Sequence, residues 1–227
     1  MSDTAPQGLG ELTLYGYWRS SSAWRVRLAL HLKGLPFENV PVHLVKDGGQ
    51  QYSAEHLARN PMGQVPVLTG TLGGEAFTLS QSVAILEFLE QVGGGQALLP
   101  EHPVTRARAR QLAEMVNSGI QPVQNLTVLL RVSDTLGGDR VEWARWAIGR
   151  GLQALEQAVA HTAGEYLVGD TVSFADLCLV PQMYNARRFG VDLTTMPTLT
   201  RVDAALSALP AFEAAHPDAQ PDAQPKA

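Results

Sequence analysis

A run of three glycines, Gly93-Gly94-Gly95, separates two stretches of sequence whose apolar residues follow different periods. Ahead of the glycines, short runs of strand-forming residues alternate with amphipathic stretches. After Pro100 the apolar residues recur at helical spacing, and strand signals almost disappear. An α/β half followed by an all-helical half is a two-domain pattern, so we predict a separate core for each half.

The first half begins with a βαβ pattern. Residues 12–17 alternate as a strand does, a helical pattern starts directly after Ser20-Ser21-Ser22, and residues 37–45 form a second strand candidate. The remaining predicted elements are a short helix at 53–59, strands at 64–68 and 76–79, and a helix that opens at 80–82. We place this α/β domain at residues 11–95.

The second half is predicted as helices over residues 104–130, 141–160, 174–188 and 197–209. These helices define an all-α domain at residues 96–212. The remaining stretch, residues 213–227, repeats Pro-Asp-Ala-Gln and is poor in large apolar side chains. Such a composition is typical of disorder, so we expect a disordered tail.

Composition and charge narrow the class of protein. Apolar residues make up 45% and charged residues 17%, as in an ordinary globular chain. The net charge of −5 argues against nucleic acid as a partner. We expect no membrane span and no leader, because no run of about 18 apolar residues occurs and the start, residues 1–10, is polar. The only cysteine is Cys178, which excludes an intrachain disulfide; together these features favour the cytoplasm.

Three hydroxyls, Ser20, Ser21 and Ser22, lie between a predicted strand and the start of a predicted helix. A helix N-terminus carries about half a positive charge and favours an anion such as a thiolate. The alternative interpretation is that one serine caps the helix and the others are turn residues.

Two further features of the first half have both an ordinary and a functional interpretation. Val65-Pro66 stands at the start of a strand, where proline marks a sheet edge or takes the cis form. Ser80-Gln81-Ser82 opens a helix, where the polar groups either cap the helix or hold a carboxylate. Neither feature is decisive alone.

The joint order and spacing of many short motifs is far more specific than any one of them. The chain has Arg-Ser-Ser-Ser-Ala-Trp-Arg-Val-Arg-Leu-Ala-Leu at 19–30, Asn-Pro-Met-Gly-Gln-Val-Pro at 60–66 and Gln-Ser at 81–82. Further matching stretches lie at 47–51, 119–126, 168–170, 175–182, 188–189 and 191–193. Across nearly its whole length the chain resembles the zeta class of glutathione transferases.

The resemblance implies a thioredoxin-like N-terminal domain, an all-helical C-terminal domain, glutathione as cofactor, a site in the cleft between the halves, and a homodimer. It implies that Val65-Pro66 is cis, that the Val65 backbone pairs with the cysteinyl part of glutathione, and that Gln81 and Ser82 hold the γ-glutamyl end. It also implies that Gln51 lies near the other arm. The full set implied to bind glutathione is Ser20, Ser21, Ser22, Ala23, Trp24, Arg25, Gln51, Val65, Pro66, Gln81, Ser82, Gln121, Asn125, Leu126 and Thr127.

The implied catalytic residues are Ser20, Ser21 and Ser22, with Ser20 facing the sulfur of glutathione. The family signature is Ser-Ser-Cys, and this chain has Ser22 where that cysteine belongs. A hydroxyl is a far poorer nucleophile than a thiol, so any covalent role of that cysteine is lost here. A reaction in which glutathione itself is the nucleophile does not need that cysteine, so we expect it to proceed with Ser22.

The activity that the resemblance implies is the isomerisation of maleylacetoacetate to fumarylacetoacetate, a step of aromatic amino acid breakdown. The glutathione thiolate would add to the cis double bond, and rotation and expulsion would give the trans product. This substrate is a small cis-enone dicarboxylate, and arginine suits its carboxylates because the guanidinium binds them in a bidentate manner. Arg19 and Arg188 are the candidates.

Other functions remain open at this point. The chain could isomerise a related cis-enone such as maleylpyruvate, act as a general glutathione transferase, or be a non-catalytic binding module with the same fold. It could also use another low-molecular-weight thiol. Ser173-Phe-Ala-Asp176 is interpreted as a capping box rather than a catalytic motif. The six histidines are scattered, so no metal site is predicted.

Overall fold

A computed structural model of the chain describes residues 8–224, which divide into two compact units. The first unit comprises the described residues up to Ala97 together with those from Pro210 onward, and the second comprises Leu98–Leu209. The first unit contains β1 (Leu12–Gly16), α1 (Ser21–Leu32), β2 (Phe37–Pro41), α2 (Ala54–Arg59), β3 (Val67–Leu72), β4 (Glu75–Ser80), α3 (Ser82–Val92) and α9 (Pro210–Ala215). The second contains α4 (Pro103–Asn117), α5 (Leu126–Leu130), α6 (Arg140–Val159), α7 (Phe174–Arg188) and α8 (Pro197–Ser207).

The sheet of the first unit has the strand order β2-β1-β3-β4, with β1 parallel to β2 and antiparallel to β3. Tyr15 pairs with Val67, and Val67 pairs in turn with Ser80. The register therefore brings the end of β1, the start of β3 and the end of β4 to one edge of the sheet. This arrangement confirms the predicted thioredoxin-like half.

Helices α1 and α3 pack on each other and contribute many of the buried apolar side chains of the first unit. The predicted stripe of α3 is confirmed, with Ile85, Leu86 and Leu89 fully buried. Helix α1 is buried almost all round and includes two buried arginines, Arg25 and Arg27. A buried guanidinium needs hydrogen-bond acceptors, so α1 is tied to its surroundings by polar as well as apolar contacts.

Some predicted element bounds differ from the structure. Strand β2 ends at Pro41, ahead of the predicted end at residue 45. Strand β3 starts at Val67 rather than at residue 64, and Pro66 just ahead of it has no N–H to donate to a neighbouring strand. The turn between β3 and β4 is confined to Gly73-Gly74, both of which have positive φ.

The second unit confirms the predicted all-helical half, although the helix predicted over 104–130 is interrupted. Helix α4 ends at Asn117, and a 3₁₀ turn, Pro122–Gln124, separates it from α5. Proline lacks the N–H that would continue the helix. A π-helical turn, Arg131–Thr135, then follows α5 directly.

Helix α7 lies at the centre of the second unit and is buried on nearly all of its faces. Its packing partners are α4, α6 and α8. The predicted capping box is present: the Ser173 N–H donates to Asp176 Oδ2 at 2.8 Å, and Asp176 is fully buried. A carboxylate used in this way belongs to the architecture of the helix.

The expectation of a disordered tail at residues 213–227 is wrong for residues 213–224. Helix α9 buries Phe212 and Ala215 and packs on α1. The chain continues through a 3₁₀ turn, Pro217–Ala219, and the Gln220 amide bonds the Ala214 and His216 carbonyls at 3.0 and 2.8 Å. Side-chain hydrogen bonds thus order a segment that is poor in large apolar residues. The contacts also place the stretch from Pro210 in the first unit, whereas residues 210–212 were predicted in the helical domain.

The last three residues, 225–227, lie outside the described residues, as does most of the start on which the expected lack of a leader depends. Within residues 8–224, no helix has the length and apolar character needed to cross a membrane.

Candidate active site

Three polar segments of the first unit meet at one edge of its sheet. Ser20 follows the end of β1, Val65 precedes β3, and Gln81 follows the end of β4. The pairing of Tyr15 with Val67 and of Val67 with Ser80 brings these segments together. Groups predicted from three separate motifs therefore share one local surface.

Ser20 is the N-cap of α1. It has extended backbone angles, φ −68° and ψ 118°, and its Oγ accepts from the Ala23 N–H at 3.3 Å. The side chain is half-buried, and no acidic residue lies in the first turn of the helix. The positive end of the helix dipole at Ser20 is thus not neutralised by a carboxylate from that turn.

The residues that follow Ser20 differ in exposure. Ser22 is half-buried, whereas Ser21, Ala23 and Trp24 are buried. Trp24 packs edge-on against the His216 ring, with centroids 5.3 Å apart. Ser20 and Ser22 are accordingly the more accessible hydroxyls of the three, and Trp24 belongs to the core of the first unit.

Helices α1 and α3 are joined by a buried hydrogen bond at their N-terminal ends. The Arg25 Nη1 donates to Ser82 Oγ at 3.2 Å. Ser82 is 4% exposed, so it is fixed in place by this contact. Arg25 therefore acts within the first unit as a brace between two of the predicted motifs.

Gln81 has a strained backbone conformation. Its φ of +70° is rare for a residue with a side chain, and such strain costs about 1–3 kcal/mol. The side chain is exposed, and Nε2 lies 3.6 Å from Met62 Sδ. Strain of this kind persists where the surrounding structure imposes it, and it clusters at ligand sites.

The loop before β3 is held by two buried side chains. Asn60 Nδ2 donates to the Gln64 carbonyl at 2.9 Å, and His56 Nε2 lies 2.9 Å from the same oxygen. This places Val65-Pro66, whose peptide bond is cis as the resemblance implied. The role of His56 was not predicted from the sequence, where the only indication is that His56 lies four residues ahead of the Asn60-Pro61 motif.

Gln51 is buried, and its Nε2 donates to the Leu44 carbonyl at 3.2 Å. Its backbone carbonyl lies beside Gly63, in the loop that leads to Val65. The structure therefore places Gln51 next to the site and gives its side chain a contact within its own loop.

Arg19 is half-buried, and its guanidinium carbon lies 5.0 Å from the centre of the Trp18 ring. Stacking on the ring restricts the orientation of the guanidinium. Arg19 lies next to Ser20 in the turn that leads into α1.

The predicted residues of the second unit cluster around the start of α5. Asn125 is its N-cap, Leu126 and Thr127 form its first turn, and Gln121 precedes the 3₁₀ turn before it. Gln121, Asn125 and Leu126 are half-buried and Thr127 is exposed. The Gln121 N–H donates to the Val116 carbonyl at 2.9 Å, which ties this segment to α4.

Arg188 is the last residue of α7 and is exposed. Its guanidinium carbon lies 5.0 Å from the centre of the Phe189 ring. The preceding Arg187 forms an ion pair with the buried Asp203. Arg187 therefore contacts a buried carboxylate, and Arg188 lies over an aromatic ring.

No group of three or more histidine, cysteine, aspartate or glutamate side chains that could hold a metal ion occurs among residues 8–224. Cys178 is fully buried in α7. The chemistry that the sheet edge can support is the binding of an anion at the α1 N-terminus, next to an accessible hydroxyl and a polar helix start at α3.

Two family models match the chain: glutathione S-transferase, N-terminal domain, over residues 10–91, and glutathione S-transferase, C-terminal domain, over residues 139–214. A maleylacetoacetate isomerase of Rattus norvegicus is 49% identical over 208 residues, which cover 92% of this chain and 93% of the relative.

Solved structures are also similar. A maleylacetoacetate isomerase of Anaeromyxobacter dehalogenans 2CP-1, with glutathione in its active site, matches with a TM-score of 0.87 and 56% identity over 94% of this chain and 98% of the other. A second structure of that protein holds dicarboxyethyl glutathione and citrate there. A bacterial zeta-class maleylpyruvate isomerase matches with a TM-score of 0.86 and 41% identity over 93% of this chain and all of the other.

Proposed function

The chain belongs to the zeta class of the glutathione S-transferase family, and from that premise we propose that it uses glutathione to isomerise maleylacetoacetate to fumarylacetoacetate. It is an enzyme, and its similarity to maleylacetoacetate isomerases extends over more than nine-tenths of its length. A modest glutathione transferase activity accompanies the main reaction.

The observation that carries this proposal is the meeting of three motifs at one edge of the sheet of the first unit. Ser20 at the α1 N-terminus, the cis Val65–Pro66 bond and the strained Gln81 all lie there. Glutathione is a tripeptide thiol with two carboxylates and an ammonium group, and polar groups of this kind are needed to bind them. The residues present therefore fit glutathione.

Bound glutathione supplies a thiolate that adds reversibly to the cis double bond and allows rotation to the trans form. Ser20 Oγ donates a hydrogen bond toward the sulfur, and the α1 dipole adds a partial positive charge. Together they lower the pKa of the thiol. Ser21 and Ser22 complete the first turn around this anion.

The remaining groups of the first unit hold the tripeptide. The Val65 backbone pairs with the cysteinyl part, with Pro66 fixing its direction. Ser82 and the Gln81 amide bind the γ-glutamyl end. Arg25 Nη1 donates to Ser82 Oγ at 3.2 Å and so fixes the position of this hydroxyl. Gln51 lies beside the other arm of the tripeptide, and its side chain also bonds the Leu44 carbonyl of its own loop. Ala23 and Trp24 form the packed base of the first turn of α1.

The substrate carboxylates require cations, and we assign this task to Arg19 and Arg188. Restricted guanidinium groups suit planar carboxylates. The structure that holds dicarboxyethyl glutathione and citrate supports a site in that relative for glutathione together with carboxylates. In the second unit, Gln121, Asn125, Leu126 and Thr127 are proposed to contact glutathione as well.

The test is the absorbance of maleylacetoacetate followed over time with the full chain, with and without glutathione. We expect rapid conversion to the trans isomer only with glutathione. Conversion at the uncatalysed rate in its presence would refute the proposed reaction. Retention on immobilised glutathione without turnover would instead indicate a binding module.

A second candidate reaction is the isomerisation of maleylpyruvate, which the similarity to the maleylpyruvate isomerase favours. The ratio of kcat/KM for the two substrates distinguishes them. We expect the higher value for maleylacetoacetate, and a reversed ratio would reassign the substrate while retaining the mechanism.

We also propose that the chain forms a homodimer, acts in the cytoplasm and takes part in phenylalanine and tyrosine breakdown. Light scattering should give a mass of twice 24.4 kDa, the mass of one chain. Cell fractionation, and growth on tyrosine after deletion of the gene, test the other two statements.

A further inference from the structure

The last described segment of the chain contacts the backbone immediately before the candidate serines. The Trp18 N–H donates to Asp222 Oδ2 at 3.0 Å, across 204 positions of sequence. The Trp18 carbonyl accepts from Arg27 Nη2 at 2.8 Å. Both backbone polar groups of Trp18 are therefore bound by charged side chains.

Trp18 is the first central residue of the turn that delivers Ser20 to the helix. The Ser20 N–H donates to the Tyr17 carbonyl at 2.9 Å, which closes a four-residue turn, 17–20. Because both polar groups of Trp18 are bound, the turn has little freedom to rotate about them. The direction in which Ser20 enters α1 follows from the orientation of this turn.

Asp222 also supplies a negative charge to a buried cation. Arg27 is fully buried, and its Nε donates to the Ala215 carbonyl at 3.2 Å. Burial lowers the pKa of Arg27 to about 10, and the Asp222 charge opposes that lowering. One carboxylate thus serves both the Trp18 N–H and the guanidinium that binds the Trp18 carbonyl.

Asp222 lies between two glutamines that each contact another part of the first unit. Gln220 and Gln224 end successive copies of Pro-Asp-Ala-Gln. Gln220 Oε1 accepts from Asn39 Nδ2 at 3.1 Å, and Gln224 Nε2 lies 3.0 Å from His43 Nε2. These two contacts hold the tail on either side of Asp222.

We propose that Asp222 is a positioning residue for Ser20, because its carboxylate fixes the turn, 17–20, that orients the thiol-activating hydroxyl. This proposal rests on the proposed role of Ser20. The segment that contains Asp222 would then help to set the thiol pKa of bound glutathione.

The test compares Asp222→Ala with Asp218→Ala in the full chain. Asp218 is the matched control because it occupies the same place in the preceding copy of the repeat and is 43% exposed. The measurements are the pKa of the bound glutathione thiol, from the ultraviolet absorbance of the thiolate, the kcat and KM for glutathione, and the melting temperature.

We expect Asp222→Ala to raise the pKa of the bound thiol by about 0.5–1 unit and to lower kcat at neutral pH by about three- to tenfold. The loss should recover at higher pH, where the thiolate forms without help. Asp218→Ala should leave the thiol pKa at its wild-type value. Asp222→Asn keeps an oxygen that can accept from Trp18 but loses the charge, so we expect a shift between the two.

A lowered melting temperature with an unchanged thiol pKa in both Asp222 variants would show a purely structural role and overturn the proposal. Should Asp222→Ala fail to fold, Asp222→Asn decides by the same measurements. Failure of the underlying function appears separately: the wild-type chain would then show no glutathione-dependent turnover, or Ser20→Ala would leave the thiol pKa unchanged.

Discussion

Helix α1 of the first unit and helix α7 of the second are both capped by a serine, and their first turns differ in one respect. Ser20 caps α1 in the first unit, and no acidic side chain lies in that turn. Ser173 caps α7 in the second unit, where Asp176 closes the capping box and both residues are buried. At α7 the chain itself supplies the anion that a helix N-terminus favours. At α1 no side chain of the first turn supplies an anion, and this is where we propose that the thiolate of glutathione binds.

A serine at a helix start therefore does not by itself distinguish a structural cap from a ligand-binding site. The residue three positions after the serine is Asp176 at α7 and Ala23 at α1. The same local geometry therefore stabilises the fold in one unit and is proposed to bind the cofactor in the other. We therefore expect changes at the start of α7 to affect mainly stability and changes at the start of α1 to affect mainly catalysis.

The largest expected effect is on stability, from Asp176→Ala. The Asp176 carboxylate accepts from the Leu167 N–H at 2.9 Å and from both the N–H and the hydroxyl of Ser173 at 2.8 Å. Its removal leaves three buried donors without this acceptor, and we expect the free energy of unfolding to fall by about 4 kcal/mol. Urea denaturation measures the change. A loss below about 1 kcal/mol would show that the box is dispensable.

The next effect is on catalysis, from Ser20→Ala. Loss of one hydrogen-bond donor to the reacting anion should lower kcat/KM about 100-fold. The cap contact is long, so the free energy of unfolding should change by no more than about 1 kcal/mol. Ser173→Ala is the matched control: it should lower stability while leaving kcat/KM of the folded enzyme within about twofold. Equal losses of activity in both variants would remove the distinction between the helices.

The pH dependence of stability should report the buried carboxyl of α7. Burial raises the pKa of Asp176 from 3.8 to about 6, against the opposing effect of its hydrogen bonds. The folded state thus holds a proton that the unfolded state has already released, so stability falls as pH rises from about 4 to 6 and is level above that. We expect a decrease of about 2 kcal/mol from this group.

Asp176→Asn cannot titrate and is the control for this pH effect. Although it is less stable, its deficit relative to the wild type should shrink between pH 4 and 6. A deficit that stays constant across this range would show that Asp176 does not change protonation there. The measurement is urea denaturation of both proteins in a series of buffers.

The smallest effect concerns the residue that departs from the family signature. Ser22→Cys restores the cysteine, and kcat/KM for the isomerisation should change by less than about threefold, because glutathione is the nucleophile. The variant should, however, become sensitive to alkylation, since Ser22 is half-buried at a helix N-terminus while Cys178 is fully buried. A large gain in turnover would show that the cysteine has a catalytic part that Ser22 lacks.

Much of the fold could be predicted because it depends on local patterns. The strand and helix around Ser20-Ser21-Ser22, the α3 stripe and the α7 capping box each depend on residues within one turn or one strand. The interruption of the helix predicted over 104–130 was also visible in principle, since Pro122 cannot continue a helix. Element bounds were the least predictable feature: β2 ends at Pro41 rather than residue 45, and β3 starts at Val67, directly after Pro66.

The candidate site was predictable to the extent that its groups lie in short motifs. What sequence reasoning missed are contacts between distant positions. His56 reaches the Gln64 carbonyl within a loop, and Asp222 reaches the Trp18 N–H from the far end of the chain. The tail was misjudged because its composition suggests disorder, while its order comes from hydrogen bonds to partners that no local pattern reveals.

The first unit is built from both ends of the described chain, and this has a consequence for biosynthesis. A ribosome makes residues 8–97 first, but α9 and the segment that contacts Trp18 emerge only after the helical unit has been synthesised. The α1 face that α9 covers therefore stays open to water until residues 210–222 have left the ribosome. Translation arrested before residue 210 leaves the ribosome should yield a chain whose helical unit is complete and whose first unit is not.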